Sequence, residues 1–100
     1  MRIAVTDIGR TFGRQTRAYA EYRIFSSLSR FGHVVRDVDV SLTSTAGDES
    51  NALCVVIVTI SSGIHLEVRA IGRHAYDAIN RAAERIAAVV RGHAGIPLLS

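Results

Sequence analysis

Between Ile64 and Arg91 the hydrophobic repeat changes from two residues to 3.6 across a single glycine, and few folds accommodate that change. The run Ile64-His65-Leu66-Glu67-Val68-Arg69-Ala70-Ile71 alternates, which is the signature of a half-buried strand. After Gly72 the apolar positions Ile79, Ala82, Ala83, Ile86, Val89 and Val90 recur at helical spacing up to Arg91. Strand and helix, joined by a tight corner, each leave one apolar face, and the nearest partner for each is the other.

The rest of the chain supplies what this pair must pack with. Residues 2–8 alternate weakly, with Ile3 and Val5 opposed to Ala4 and Thr6, and read as a first strand. Gly9 to Gly13 reads as a loop, and a helix follows from about Arg14 to Arg30 with Ala18, Tyr22, Phe25 and Leu28 as its richest stripe. Ile24 and Phe31 flank that stripe, Arg23 and Arg30 point away from it, and Gly32 is placed to cap the helix. Alternation returns from Val34 to Leu42, with Val34, Val38, Val40 and Leu42 on one face and Asp37, Asp39 and Ser41 on the other. The small polar stretch 43–51 is a hairpin loop, and Leu53 to Ile60, apolar on both faces, is a central strand. Ser61-Ser62-Gly63 turns into the fourth strand, and the second helix starts near His74 and is expected to end near Gly92.

The order is therefore β-α-β-β-β-α, an α+β domain over residues 1–93 followed by a short tail, 94–100. The strand-helix-strand unit implies a right-handed crossover between parallel strands, and the short turns make the last three strands antiparallel. A four-stranded mixed sheet with both helices on one face follows, and its other face is open. If Leu53, Val55 and Ile57 face the helices, then Cys54, Val56, Val58 and Ile60 form an apolar centre on the open face, a surface for self-association. A single cysteine excludes an intramolecular disulfide, and Cys54 inside an apolar run reads as a buried, inert thiol. No apolar run approaches the roughly 20 residues that span a bilayer, and the first residues lack the shape of a signal peptide, so a cytoplasmic protein without membrane attachment is expected.

Chemistry is sparse. There is no glycine-flanked nucleophile, no lysine-bearing phosphate loop and no His-Glu-x-x-His spacing. Histidines 33, 65, 74 and 93 fall at unrelated positions, and His65 with Glu67 reads as a solvated strand face, so neither enzyme nor metal nor cofactor is expected. Asp37 and Asp39 are placed for cross-strand pairing. What stands out is that all twelve basic residues are arginine, against nine acids. The guanidinium fork suits phosphate and stacks on bases, so the balance points toward nucleic acid. Arg81 and Arg85 share a helix face with Arg91 nearby, with Asp77 and Glu84 able to pair with part of it. Arg69 on the open strand face and Arg73 at the corner would extend that surface. Arg23 and Arg30 lie one heptad apart on the first helix, and together the two helices would form a rail for a phosphate backbone.

The run Ala70-Ile71-Gly72-Arg73-His74-Ala75-Tyr76-Asp77-Ala78-Ile79-Asn80 resembles the short ribosome hibernation-promoting factors, also called ribosome-associated inhibitor or sigma-54 modulation proteins. Their signature there is Ala-x-Gly-x-x-x-Tyr-x-Ala-Ile-Asp, met here except for Asn80. The stretch Arg17-Ala18-Tyr19-Ala20-Glu21-Tyr22-Arg23-Ile24 is similar to their first helix, and their dsRBD-like fold has the element order read above. The resemblance implies a cytoplasmic stress-response protein that binds the 30S subunit through 16S rRNA in the decoding channel and blocks translation. It places Arg23 and Arg85 at positions where the family carries Lys or Arg, whereas Ala88 and Gly92 stand where the family is commonly basic, and Ser27 at a usual core position. It also implies that the second, dimerising domain of longer members is not represented here. The rival reading is a diverged paralogue, a homodimeric protein-interaction module that uses the open sheet face or Leu98 and Leu99 and does not bind ribosomes.

Overall fold

The structure, a computed structural model, describes residues 1–46 and 50–94. Strand β1 (Arg2–Asp7) leads through a short 3-10 turn to helix α1 (Arg14–Leu28), and a second 3-10 turn, Ser29–Phe31, leads to β2 (Val35–Ser44). Strands β3 (Ala52–Ile60) and β4 (His65–Gly72) and helix α2 (Ala75–Ala94) complete the expected order. The strands line up β1-β2-β3-β4, with β1 and β2 parallel and the other neighbours antiparallel. Both helices cover one face, and a single core joins Ile24 and Leu28 of α1 and Ile79, Ile86 and Val90 of α2 to the inward side chains of the strands. Each of these five side chains is fully buried, which stabilises the fold by roughly 1.5–3 kcal/mol apiece for the larger aliphatics.

The loop after β1 is built by one side chain. The Asp7 carboxylate accepts hydrogen bonds from the backbone N–H groups of Thr11, Phe12 and Gly13, at 3.1, 2.9 and 2.8 Å. This winds the chain so that Phe12 enters the core, and Gly9 and Gly13 take the positive φ values of 81° and 89° that the turn requires.

Four expectations are corrected. On β3 the faces are reversed: Cys54, Val56, Val58 and Ile60 are buried beneath the helices, and Leu53, Val55 and Ile57 lie half-buried on the open face. Residues directly opposite in a ladder share a face, and Val40 opposes Val56 while Leu42 opposes Cys54, so the clearly patterned neighbours orient a strand that has no pattern of its own. The predicted patch Cys54, Val56, Val58 and Ile60 is thus core and cannot be a self-association surface. On α1 the buried line is Thr16, Ala20, Ile24 and Leu28, while Tyr22 and Phe25 are 66% and 51% exposed. Small Ala20 admits close packing, and hydrogen bonds from Tyr19 and Arg23 to α2 hold the helix at this rotation. In β2 the inward residues are Val35, Val38, Val40 and Leu42, because a register shift between Val35 and Asp37 absorbs one residue. Gly32 is right-handed at φ −57°, so its part in ending the helix is the N–H that it donates to the Ser29 carbonyl rather than a left-handed cap. α2 continues through the exposed Gly92 to Ala94, and Leu98 and Leu99 lie outside the described residues.

Burial raises the Cys54 thiol from 9.0 to about 12, so it stays protonated and unreactive in the core, as the apolar run around it implies.

Candidate nucleic-acid interface

The spacing of four on each helix brings together a cluster of bonded side chains on the surface. Tyr19 and Arg23 stand one turn apart on α1, and Tyr76 and Asn80 stand one turn apart on α2, so each pair shares a helix face. The Tyr19 hydroxyl donates to Asn80 Oδ1 at 2.6 Å, and Arg23 Nε–H donates to the same oxygen at 3.1 Å. The Tyr19 and Tyr76 rings pack with centroids 4.6 Å apart, tilted by 54°. This cluster ties the two helices at one end of the furrow between them.

Beyond the cluster the furrow opens into a groove of about 330 Å³ whose wall carries Arg23, Arg30 and Arg91 beside Glu84, with Phe31 and Ala83 at its floor. Arg30 reaches it from the 3-10 turn after α1, and Arg91 from the last turns of α2. Among the described residues none of these three arginines forms an ion pair within 4.0 Å. Three cations facing one carboxylate in a concave, open furrow attract anions, and arginine meets them with two parallel N–H donors.

The remaining predicted arginines lie elsewhere. Arg81 and Arg85 reach over the opposite flank of α2 and donate to the carbonyls of Ile71 and Arg69. β4 is an edge strand, so these guanidiniums satisfy acceptors that would otherwise invite pairing with another chain. Arg69 pairs with Glu67 at 2.9 Å on the open face, and Arg73 stands exposed in the corner between β4 and α2. The seven predicted residues thus form two sets, Arg23, Arg30 and Arg91 in the groove and Arg69, Arg81 and Arg85 along the β4 edge, with Arg73 at the corner; they do not form one continuous rail. Among the described residues Asp77 forms no ion pair with Arg81, whose Nη1 donates to the Ile71 carbonyl. Asp37 does pair across the ladder, with Arg2 at 3.7 Å, and His65 Nδ1 is taken up by the Thr59 hydroxyl at 2.9 Å.

Sequence reasoning missed the part played by Tyr19 and treated Tyr76 and Asn80 as motif letters only. The i, i+4 spacing of an aromatic with a polar residue on both helices was the available signal. It also passed over Arg10 and Arg17, which flank Asp7 and Gly13 around a separate concavity beside β1.

No helix among the described residues is long and apolar enough to cross a membrane. No protein-family model and no curated protein matches the chain significantly. Solved structures do. A ribosomal subunit interface protein from Coxiella burnetii superposes with a TM-score of 0.80 at 10% identity, over 95% of this chain and 99% of that one. The N-terminal domain of Thermus thermophilus Protein Y superposes with a TM-score of 0.76 at 19% identity, over 93% of this chain and 99% of that one. At such identities the likeness is one of fold, and the fold is the one that the resemblance to hibernation-promoting factors implied: this chain folds, over nearly all its length, as the two compared proteins do.

Proposed function

We propose that this protein is a non-enzymatic, ribosome-associated translation inhibitor that binds the 30S subunit through 16S rRNA in the decoding channel. The observation that carries this reading is the groove between α1 and α2, where Arg23, Arg30 and Arg91 stand without ion-pair partners among the described residues on a fold shared with a ribosomal subunit interface protein. Binding through such a groove is electrostatic and shape-directed, and it blocks by occupying space that mRNA and tRNA need. It requires no cofactor. Arg73, Arg81 and Arg85 extend the basic surface along the other flank of α2, and Arg85, which spends one N–H on the Arg69 carbonyl, keeps its other donors for RNA.

The test is cosedimentation of the full chain with 30S subunits and vacant 70S ribosomes across a salt series. Retention on 30S should fall steeply between about 50 and 300 mM salt, with a slope near −0.7 to −0.9 for each phosphate neutralised. The double variant Arg30→Glu with Arg91→Glu should abolish retention while leaving the fold intact, since both side chains are exposed. Retention that ignores both salt and the double variant would sink the assignment of the groove, and no retention at the lowest salt would sink the ribosomal reading. Running the same protein over a concentration series tests for a homodimer.

A further inference from the structure

Asn80 is the residue at which this chain departs from the hibernation-factor signature, and its geometry gives the departure a physical meaning. Arg23 Nε–H can only donate, so the atom that receives it must be the amide oxygen, and the Tyr19 hydroxyl donates to that same oxygen. The orientation of the amide is thereby set, and its NH2 group points away from both donors. Among the described residues no acceptor takes the Asn80 Nδ2 protons, and no buried side-chain nitrogen or oxygen is without a partner, so Nδ2 of the half-buried Asn80 is open to solvent in part. The terminal nitrogens of Arg23 likewise meet no acceptor among the described residues.

We propose that Asn80 Nδ2 and the free end of the Arg23 guanidinium form a subsite for one RNA phosphate at the head of the groove between α1 and α2. The proposal rests on the RNA-binding reading above and names the residue that sets its charge. An aspartate at position 80 would accept the same two hydrogen bonds with one oxygen, yet it would place a negative charge against the guanidinium and turn its second oxygen, an acceptor, outward. The neutral amide reverses both effects. It holds Arg23 in place without neutralising it, and it turns donors outward. Arg30 and Arg91 farther along the wall add positive charge, and Glu84, the one carboxylate in the groove among the described residues, opposes it. Tyr76, 40% exposed and braced against the Tyr19 ring, adds an aromatic face beside the subsite that suits a nucleoside next to the phosphate and distinguishes a polynucleotide from free phosphate.

The experiment is a titration of the isotopically labelled full chain, following the Asn80 side-chain amide and Arg23 Nε–H resonances by NMR. One arm uses a single-stranded RNA oligonucleotide and the other inorganic phosphate at the same phosphate concentration. Saturable movement of both resonances by RNA, with inorganic phosphate producing little, is expected. In parallel, Asn80→Asp, nearly identical in shape, should lower oligonucleotide affinity by about tenfold or more and reduce the magnitude of the salt slope by about one. The proposal is overturned if the Asn80 amide stays still at RNA saturation, or if Asn80→Asp binds with unchanged affinity and slope. Equal saturation by inorganic phosphate would overturn the assignment to RNA. The two readings fail separately: RNA-dependent shifts at Asn80 without cosedimentation would retain the subsite and discard the ribosome, and cosedimentation with a silent Asn80 would do the reverse.

Discussion

Gly72 shows how much one hydrogen atom in place of a methyl group can decide. A Cβ built there would lie 2.5 Å from both the Ala78 backbone nitrogen and the Asp77 Cβ, so the first turn of α2 packs directly on the end of β4. The obstruction is backbone, which cannot swing aside. Gly72→Ala should therefore destabilise the domain by at least about 1–3 kcal/mol, the usual cost of overpacking, and denaturant unfolding measures it. A variant as stable as the parent would show that the corner can open. Cys54 makes a second prediction at this scale. Its thiol is raised to about 12 in the fold, against 9.0 when unperturbed, so above pH 9 the unfolded chain loses a proton that the folded chain keeps. The contribution is complete below pH 9 and is lost as pH rises toward 12. Stability of the parent should fall more steeply over that window than stability of Cys54→Ala, and parallel decline of the two would contradict the assignment. The cysteine was recognisable as buried from its apolar surroundings, whereas the need for glycine at 72 was visible only as punctuation between two periodicities.

At the scale of the element, α1 is the helix whose sequence misleads. Counting apolar residues selects Ala18, Tyr22 and Phe25, but the tertiary structure turns Ile24 inward and leaves Phe25 half exposed beside Met1 and Tyr22. A helix must satisfy its neighbours as well as its own stripe, and the bonds of Tyr19 and Arg23 to Asn80 choose the rotation. Ile24→Ala should cost about 2–5 kcal/mol through lost burial and the cavity left behind, whereas Phe25→Ala should stay within about 1 kcal/mol. Thermal or urea unfolding of the pair separates the rotations, and the reverse order would restore the apolar count. The candidate site was partly legible for the same reason. Arg23, Arg30 and Arg91 could be named as basic helix residues, but that they share a groove, and that Arg81 and Arg85 turn to the β4 edge, depends on which flank of α2 meets α1.

For the whole molecule, charge and shape work together. An excess of three positive charges over 100 residues is modest when spread evenly, and it gains effect where three arginines line one furrow. The magnitude of the salt slope in cosedimentation counts the phosphates engaged. A value near 2–3 would match the groove alone, and a larger one would bring in the arginines of the β4 edge and the corner. The sheet's outer face adds a different kind of surface, with Leu53, Val55 and Ile57 half-buried, Val55 and Ile57 opposite polar residues on both flanking strands and Leu53 opposite Thr43 and Ile71, the latter 59% exposed.

The order of elements, the strand-to-helix corner at Gly72, the inward face of α2 and the inertness of Cys54 follow from local periodicity and composition, because each depends on residues close together in the chain. Other features required neighbours distant in sequence. The facing of β3 is one, since a strand apolar on both sides carries no internal instruction and takes its orientation from Val40, Leu42, Val68 and Ala70 across the ladders. The rotation of α1, and with it the division of the arginines between a groove and a sheet edge, is another, because it is decided by hydrogen bonds that span 61 and 57 residues from Tyr19 and Arg23 to Asn80. Such contacts leave no periodic trace, and only the folded chain brings their partners within reach.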